Sequence, residues 1–210
     1  MELSFDIGEA VAALSKADPR LGKMMDRIGP ITLPLKPLQS PFRYLTEAIT
    51  YQQLNGKAAA TIFGRFRALY EGNSFPAPEE VLATSDEELR SAGLSRSKSA
   101  AIRDLAEKVL DGSVPTAARL KRMSDDEIVE RLTEVRGIGP WTAQMLLIFA
   151  LGRPDVLPAT DYGIQSGFRI VYGFDEHPSP KMIMQHGDIW RPWRSVASLS
   201  LWRAVDSTQT

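Results

Sequence analysis

The chain has 210 residues, of which 43% are hydrophobic and 24% are charged, a composition typical of a folded protein with a substantial core. The formal net charge of −1 gives no overall basic character, so any surface for a polyanion must be locally positive. The absence of cysteine excludes disulfides, thiolate zinc sites and cysteine-bound iron–sulfur clusters. No apolar run is long enough to span a bilayer and no signal-peptide pattern begins the chain, so we expect a cytoplasmic protein.

Hydrophobic residues recur at helical spacing along nearly the whole chain, and alternating patterns are rare. In chain order, the pattern predicts helices over residues 7–16, 19–28, 41–53, 57–70, 78–83, 85–92, 95–110, 116–123, 124–133, 141–151, 160–172, 179–187 and 191–205. The proline-rich stretch 31–41 predicts an extended connector with at most a short strand. Asp18 before Pro19, and Ser124 three residues before Glu127, are N-cap patterns. The chain is therefore predicted to be all-α.

The stretch 132–161 carries the most specific signal. Gly137 and Gly139 precede Pro140, a residue favoured at the first position of a helix, and residues 141–151 are almost entirely apolar. Glycines that allow positive φ before the free amides of a helix N-terminus suit phosphate binding. Two such glycines alone are more often only a tight turn between helices.

Several motifs in order make the pattern more specific. The segment 137–164, GIGPWTAQMLLIFALGRPDVLPATDYGI, resembles the helix–hairpin–helix motif of the DNA glycosylase superfamily, and within it the 3-methyladenine DNA glycosylase II (AlkA) type. The similarity runs from about residue 41 to 202, through YQQLNGKAA, GLSRSKSAAI and RPWRSVASLSLW. It implies one glycosylase unit over 1–210, a two-lobed helical bundle with the lesion pocket between the lobes. We expect one lobe over about 41–150, with the hairpin at 135–140, and a second over about 1–40 plus 151–210.

Asp161 is predicted to cap the helix that begins at Tyr162, a position that stabilises an ionised carboxylate through amide hydrogen bonds and the helix dipole. The resemblance implies that the same aspartate is catalytic. Cleavage of an N-glycosidic bond develops positive charge on the sugar, which a nearby carboxylate stabilises while it orients water. An alkylated base is already cationic and leaves without strong protonation, so one carboxylate suffices.

The resemblance also assigns aromatic residues. Bifunctional relatives carry a catalytic lysine at the position of Trp141, and tryptophan cannot form their Schiff base, which implies a monofunctional enzyme that leaves the strand intact. Trp141, Tyr162 and Trp202 match pocket aromatics, whose rings favour a cationic base by about 0.5–2 kcal/mol. Without the resemblance, aromatics at helical spacing most often indicate core packing, the role we expect for Trp190 and Trp193.

The resemblance also implies which residues contact DNA. Leu54 matches the wedge that enters the gap left by an extruded nucleotide, with Gln53 and Asn55 beside it. The hairpin residues Gly137 and Gly139, together with Thr142, are expected to contact phosphate. A second phosphate contact is expected at the helix start that carries Ser97 and Lys98, a stretch equally typical of an ordinary capped helix.

No cofactor is expected to be required. Family hairpins often bind Na⁺ or K⁺ through backbone carbonyls, which here implies those of Thr133, Val135 and Ile138. The partner implied is double-stranded DNA containing alkylated bases, bound by a monomer associated with the nucleoid. AlkA-type relatives have an extra N-terminal β domain; about forty residues precede Pro41, so we expect that domain to be absent or vestigial and the site to be more open.

Two alternatives remain at this point. One is a glycosylase for oxidised or mismatched bases, against which the missing lysine and cysteines argue. The other is a non-catalytic helix–hairpin–helix DNA-binding module, against which the combination of Asp161 and the aromatic residues argues.

Overall fold

A computed structural model describes residues 3–72 and 75–208 of the chain. In chain order its helices are α1 (Ile7–Ala17), α2 (Pro19–Ile28), α3 (Pro41–Tyr51), α4 (Gly56–Arg67), α5 (Pro78–Ala83), α6 (Asp86–Ser91), α7 (Arg96–Leu110), α8 (Ala117–Leu120), α9 (Asp125–Thr133), α10 (Pro140–Phe149), α11 (Tyr162–Tyr172), α12 (Pro180–His186), a 3₁₀ turn (Gly187–Trp190) and α13 (Arg194–Asp206). These residues contain no strand, in the connector 31–40 or elsewhere, and the all-α prediction is confirmed. None of the helices in the described ranges has the length and apolar composition needed to cross a bilayer.

Helix starts agree closely with the sequence pattern. Asp18 accepts a hydrogen bond from Leu21 N–H, and Ser124 and Glu127 form the predicted capping box. The last helix is the main exception, because it begins at Arg194 and is preceded by the 3₁₀ turn. Arg191 is extended, as expected for a residue before proline, and Pro192 has no N–H to donate, so the helix starts later than the hydrophobic pattern predicts.

The chain forms two compact units, which we describe separately. The first comprises Met1–Pro37 and Gln144–Thr210, and the second comprises Leu38–Ala143. The core of the second unit contains an aromatic cluster on α3 and α4 in which the rings of Phe63 and Phe66 stack with centroids 6.5 Å apart. In the first unit, α11 and α13 approach closely at Gly167, where an added Cβ would lie 2.2 Å from the Leu201 carbonyl oxygen. A side chain at this position would separate the two helices.

A buried carboxylate joins distant parts of the first unit. The side chain of Asp18 is only 4% exposed. Its Oδ1 accepts from Leu21 N–H at 3.1 Å; its Oδ2 accepts from the Tyr172 hydroxyl and from Trp190 Nε1–H at 2.9 Å, and lies 2.8 Å from His186 Nε2. Burial would raise the pKa of the Asp18 carboxyl, but these hydrogen bonds outweigh that effect and hold its pKa below the ordinary value.

We predict that Asp18→Asn lowers the free energy of unfolding at neutral pH by about 3 kcal/mol, because the amide nitrogen cannot accept the buried donors. The pKa of Asp18 is lower in the folded state, so its contribution is fully present above the unfolded value of about 3.9 and is lost as the pH falls through the folded value. The free energy of unfolding, measured with urea at neutral pH and below pH 4, should therefore differ less between wild type and variant in acid than at neutral pH. Exposed Asp26 provides the matched control; equal stability of Asp18→Asn and Asp26→Asn would contradict this prediction.

Candidate functional site

Asp161 lies at the N-terminus of α11, and its capping role is confirmed. Its Oδ1 accepts from Ile164 N–H at 2.9 Å and from Trp202 Nε1–H at 2.7 Å. One oxygen thus receives a backbone donor from α11 and an indole donor from α13. The two bonds fix the orientation of a half-buried carboxylate at the positive end of a helix. The structure therefore brings together two of the predicted site residues, Asp161 and Trp202.

The loop that leads to Asp161 is held by charged and hydroxyl side chains of the RPWRS segment. Asp155 accepts from Arg194 Nε at 2.6 Å and from Arg191 Nη1 at 2.6 Å. Ser195 Oγ donates to the Arg153 carbonyl at 2.6 Å and accepts from Val156 N–H at 3.0 Å. No local sequence pattern predicts these pairs, whose members lie about forty positions apart. The contacts fix the backbone shortly before the aspartate.

Gly163 allows the indole of Trp202 to lie against the start of α11. A Cβ at this position would be 2.7 Å from Trp202 Cδ1 and 3.0 Å from Asp161 Oδ1. The Trp202 ring also stacks with Phe149 of α10, with centroids 5.9 Å apart. Absence of a side chain at Gly163 is thus a condition for the Trp202–Asp161 hydrogen bond.

Two of the predicted aromatic residues are well exposed. Tyr162, next to Asp161, has 72% of its surface accessible, and Trp141, in the unit Leu38–Ala143, has 44%. The Tyr162 ring lies against His177, with centroids 5.0 Å apart, and His177 Nε2 is 3.1 Å from Ser166 Oγ. No sequence motif predicts a role for His177. Trp190 is fully buried, as predicted for a packing residue.

The hairpin between α9 and α10 is a tight turn. Gly137 takes a positive φ of 77°, and Ile138 N–H donates to the Val135 carbonyl at 3.0 Å. Gly139 does not take a positive φ, so only one of the two glycines needs that freedom. Thr142 is 5% exposed, so a phosphate contact through its hydroxyl is disfavoured, and one through its backbone N–H stays a prediction.

The predicted cation ligands are neutral carbonyl oxygens at this turn. The described residues contain no group of three or more acidic, histidine or cysteine side chains suited to a metal. Carbonyl oxygens without a nearby carboxylate set fit a monovalent hard cation better than a divalent one. The donor chemistry therefore fits Na⁺ or K⁺, and binding stays a prediction.

The predicted wedge lies in the break between α3 and α4. Leu54 is 39% exposed, as expected for a side chain that inserts between bases. Gln53 has a φ of 57°, the only positive value among the described non-glycine residues, a conformation that costs about 1–2 kcal/mol. Asn55 caps α4 by accepting from Ala58 N–H at 2.9 Å. The loop therefore has a defined and strained backbone.

The other two predicted phosphate contacts occupy the start of α7. Ser97 is exposed, with its Oγ 3.0 Å from that of Ser95. Lys98 is half-buried, and its Nζ donates to the carbonyls of Thr50 at 2.7 Å and Gln52 at 2.8 Å. Burial lowers the pKa of Lys98 below its ordinary value. The sequence did not reveal this internal contact.

A glycine hairpin between helices, an exposed leucine in the break between α3 and α4, and a carboxylate that caps α11 beside the exposed Tyr162 are features typical of a helical nucleic-acid-processing protein. Residues 46–192 match the family described as HhH-GPD superfamily base excision DNA repair protein, and the chain belongs to that family. The superfamily prediction is thereby confirmed.

One similar protein and two similar solved structures cover nearly the whole chain. DNA-3-methyladenine glycosylase 1 of Schizosaccharomyces pombe is 36% identical over 203 residues, which cover 93% of this chain and 89% of that protein. A structure of the S. pombe 3-methyladenine DNA glycosylase in complex with abasic DNA has a TM-score of 0.82 at 35% identity and covers 92% of this chain and 95% of that one. A crystal structure of a DNA-3-methyladenine glycosidase from Bacillus halodurans has a TM-score of 0.86 at 38% identity. The match covers 95% of this chain and 90% of that one.

We predict that Gly163→Ala lowers the free energy of unfolding by about 1–3 kcal/mol, because the new methyl group displaces the Trp202 indole. The indole N–H signal of Trp202 in an NMR spectrum should shift as its hydrogen bond to Asp161 is lost. Gly64→Ala is the matched control: Gly64 is exposed within α4 with open space around it, so the same substitution should stabilise by about 0.5–1 kcal/mol. A stabilised Gly163→Ala protein with an unchanged indole signal would contradict the role assigned to this glycine.

Proposed function

We propose that this protein is a monofunctional DNA glycosylase that removes alkylated purines, of the 3-methyladenine and 7-methylguanine type, from duplex DNA in base excision repair. The observation that carries the proposal is the Asp161 carboxylate, oriented by Ile164 N–H and Trp202 Nε1–H. The names of the similar proteins, which are 3-methyladenine glycosylases, support the choice of lesion.

The proposed reaction is hydrolysis of the bond between the base and C1′ of the sugar. As that bond lengthens, positive charge develops on the sugar, and the Asp161 carboxylate stabilises it electrostatically. The same carboxylate orients the water that attacks C1′. Because Asp161 is held by two hydrogen bonds before the lesion arrives, little reorganisation is needed as the charge develops.

Selectivity for alkylated purines comes from exposed aromatic faces. Alkylation at a ring nitrogen makes the base cationic, which weakens its bond to the sugar and strengthens its attraction to an electron-rich ring. Trp141 and Tyr162 present such rings to solvent, and Trp202 presents a third beside Asp161. The cation–π attraction amounts to about 0.5–2 kcal/mol, which is only part of the selectivity for alkylated over normal purines. The remaining selectivity comes from the weakened bond between the alkylated base and the sugar.

Trp141 also determines what the enzyme does after base release. A lysine at this position would attack C1′ and form a Schiff base that leads to strand cleavage. The indole nitrogen of Trp141 carries no basic lone pair and forms no such adduct. The proposed product is therefore an intact strand with an abasic site.

DNA is held by the wedge loop and the hairpin. Leu54 enters the stack when the damaged nucleotide leaves it, with Gln53 and Asn55 beside the opposite strand. Backbone groups at Gly137 and Gly139 and the side chain of Ser97 contact phosphates. We further propose that the protein acts as a monomer on nucleoid DNA.

A monovalent cation is part of the proposed hairpin. Na⁺ or K⁺ bound by the carbonyls of Thr133, Val135 and Ile138 would add positive charge close to a phosphate. It would stabilise the turn and contribute to DNA affinity without entering the chemistry.

We predict that the protein releases 3-methyladenine and 7-methylguanine from methylated duplex DNA while the phosphodiester backbone stays intact. Released bases are quantified chromatographically, and strand integrity is read from a labelled oligonucleotide with and without hot alkali. Borohydride should trap no covalent protein–DNA adduct, because Trp141 supplies no amine. Absence of base release would contradict the proposed substrate, and cleavage without alkali would contradict the monofunctional mechanism.

A further inference from the structure

The end of α3 is held by a side chain from a different helix. The last carbonyls of a helix have no partner within it and need other donors. Two of these positions, the carbonyls of Thr50 and Gln52, accept from the ammonium of Lys98, at 2.7 Å and 2.8 Å. Lys98 belongs to the first turn of α7, so it links that helix to the residue immediately before Gln53.

A second bond holds the same segment from another direction. Gln52 Nε2 donates to the Gly137 carbonyl at 2.9 Å, at the residue of the hairpin that takes a positive φ. Leu54 N–H donates to the Tyr51 carbonyl at 3.3 Å, which closes the turn. Gln52 is therefore held through both its backbone oxygen and its side chain, and its neighbour Gln53 is left-handed.

We propose that Lys98 and Gln52 are positioning residues that set the Leu54 wedge in its inserting conformation before DNA binds. The proposal rests on the proposed function, because it assigns Leu54 the role of filling the gap left by a flipped base. A left-handed glutamine persists only where its surroundings determine its conformation, and these contacts supply that determination. A wedge that is already ordered loses no further conformational entropy when the base leaves the stack.

This role differs from the phosphate contact predicted for Lys98 from the sequence. Two of the three ammonium protons are directed to carbonyl oxygens of the same chain. A lysine suits this position because its small ammonium group can donate to two carbonyl oxygens at once. The planar guanidinium of arginine is better suited to bidentate binding of carboxylates and phosphates. Lys98 is therefore assigned to the wedge, and Ser97 stays the candidate for phosphate.

The test compares one lesion in two duplex contexts. Lys98→Met keeps the length of the aliphatic chain but removes the donors, and Gln52→Leu removes the second bond independently of Lys98. Single-turnover base release is measured from 7-methylguanine paired with cytosine and from the same lesion in a single-nucleotide bulge, where opening is easy. Exposed Lys181 is the charge-matched control as Lys181→Met. Thermal melting establishes that each variant is folded.

We expect both variants to slow release from the paired lesion by about 10- to 100-fold, and to leave release from the bulge close to the wild-type rate. Fluorescence of 2-aminopurine placed opposite the lesion should report slower wedge insertion in the same variants. Equal losses on the two substrates would overturn the proposal. So would a Lys98→Met protein whose DNA affinity shows a salt dependence reduced by about one unit, since that is the signature of a lost phosphate contact. Failure of the wild type on both substrates would instead count against the proposed function.

Discussion

In the proposed active site, a single carboxylate oxygen accepts hydrogen bonds from two helices, and the geometry around it depends on both bonds. Asp161 Oδ1 receives Ile164 N–H of α11 and Trp202 Nε1–H of α13. The first bond is an ordinary helix cap, and the second attaches the cap to a neighbouring helix at a point where Gly163 leaves room for the indole. The bond from Ile164 N–H alone would be enough to cap the helix. The added bond from Trp202 fixes the orientation of the Asp161 carboxylate. Catalysis by electrostatic stabilisation requires that fixed orientation.

The residues to which we assign functions lie, in both units, at helix ends, where backbone groups lack partners within the helix. Asp161 satisfies donors at the start of α11, and Asn55 does so at the start of α4. Lys98 satisfies acceptors at the end of α3. Each of these contacts pairs a backbone group of the folded chain, whether or not DNA is present. The stability of the fold and the geometry of the site are therefore determined by the same hydrogen bonds.

Local features of the site were predictable from the sequence because they depend on neighbouring residues. The cap at Asp161 and the turn at Gly137 follow from residue types within a few positions, and both are found in the structure. The wedge role expected of Leu54 came from the resemblance alone, and its side chain is exposed. Long-range partners were not predictable. The Asp155–Arg194 ion pair joins residues about forty positions apart, and the contacts of Lys98 reach across to α3. Such pairings depend on how the helices pack, which hydrophobic periodicity does not specify.

The proposed role of the Asp161 charge is tested by single-turnover base release by Asp161→Asn from a duplex containing 7-methylguanine. Asparagine is as good an N-cap as aspartate, so this substitution removes the charge while it preserves the helix start. We expect the rate to fall by at least about 100-fold, with unchanged affinity for the DNA and unchanged thermal stability. An Asp161→Asn protein that releases the base at the wild-type rate would contradict the catalytic role proposed for the Asp161 carboxylate.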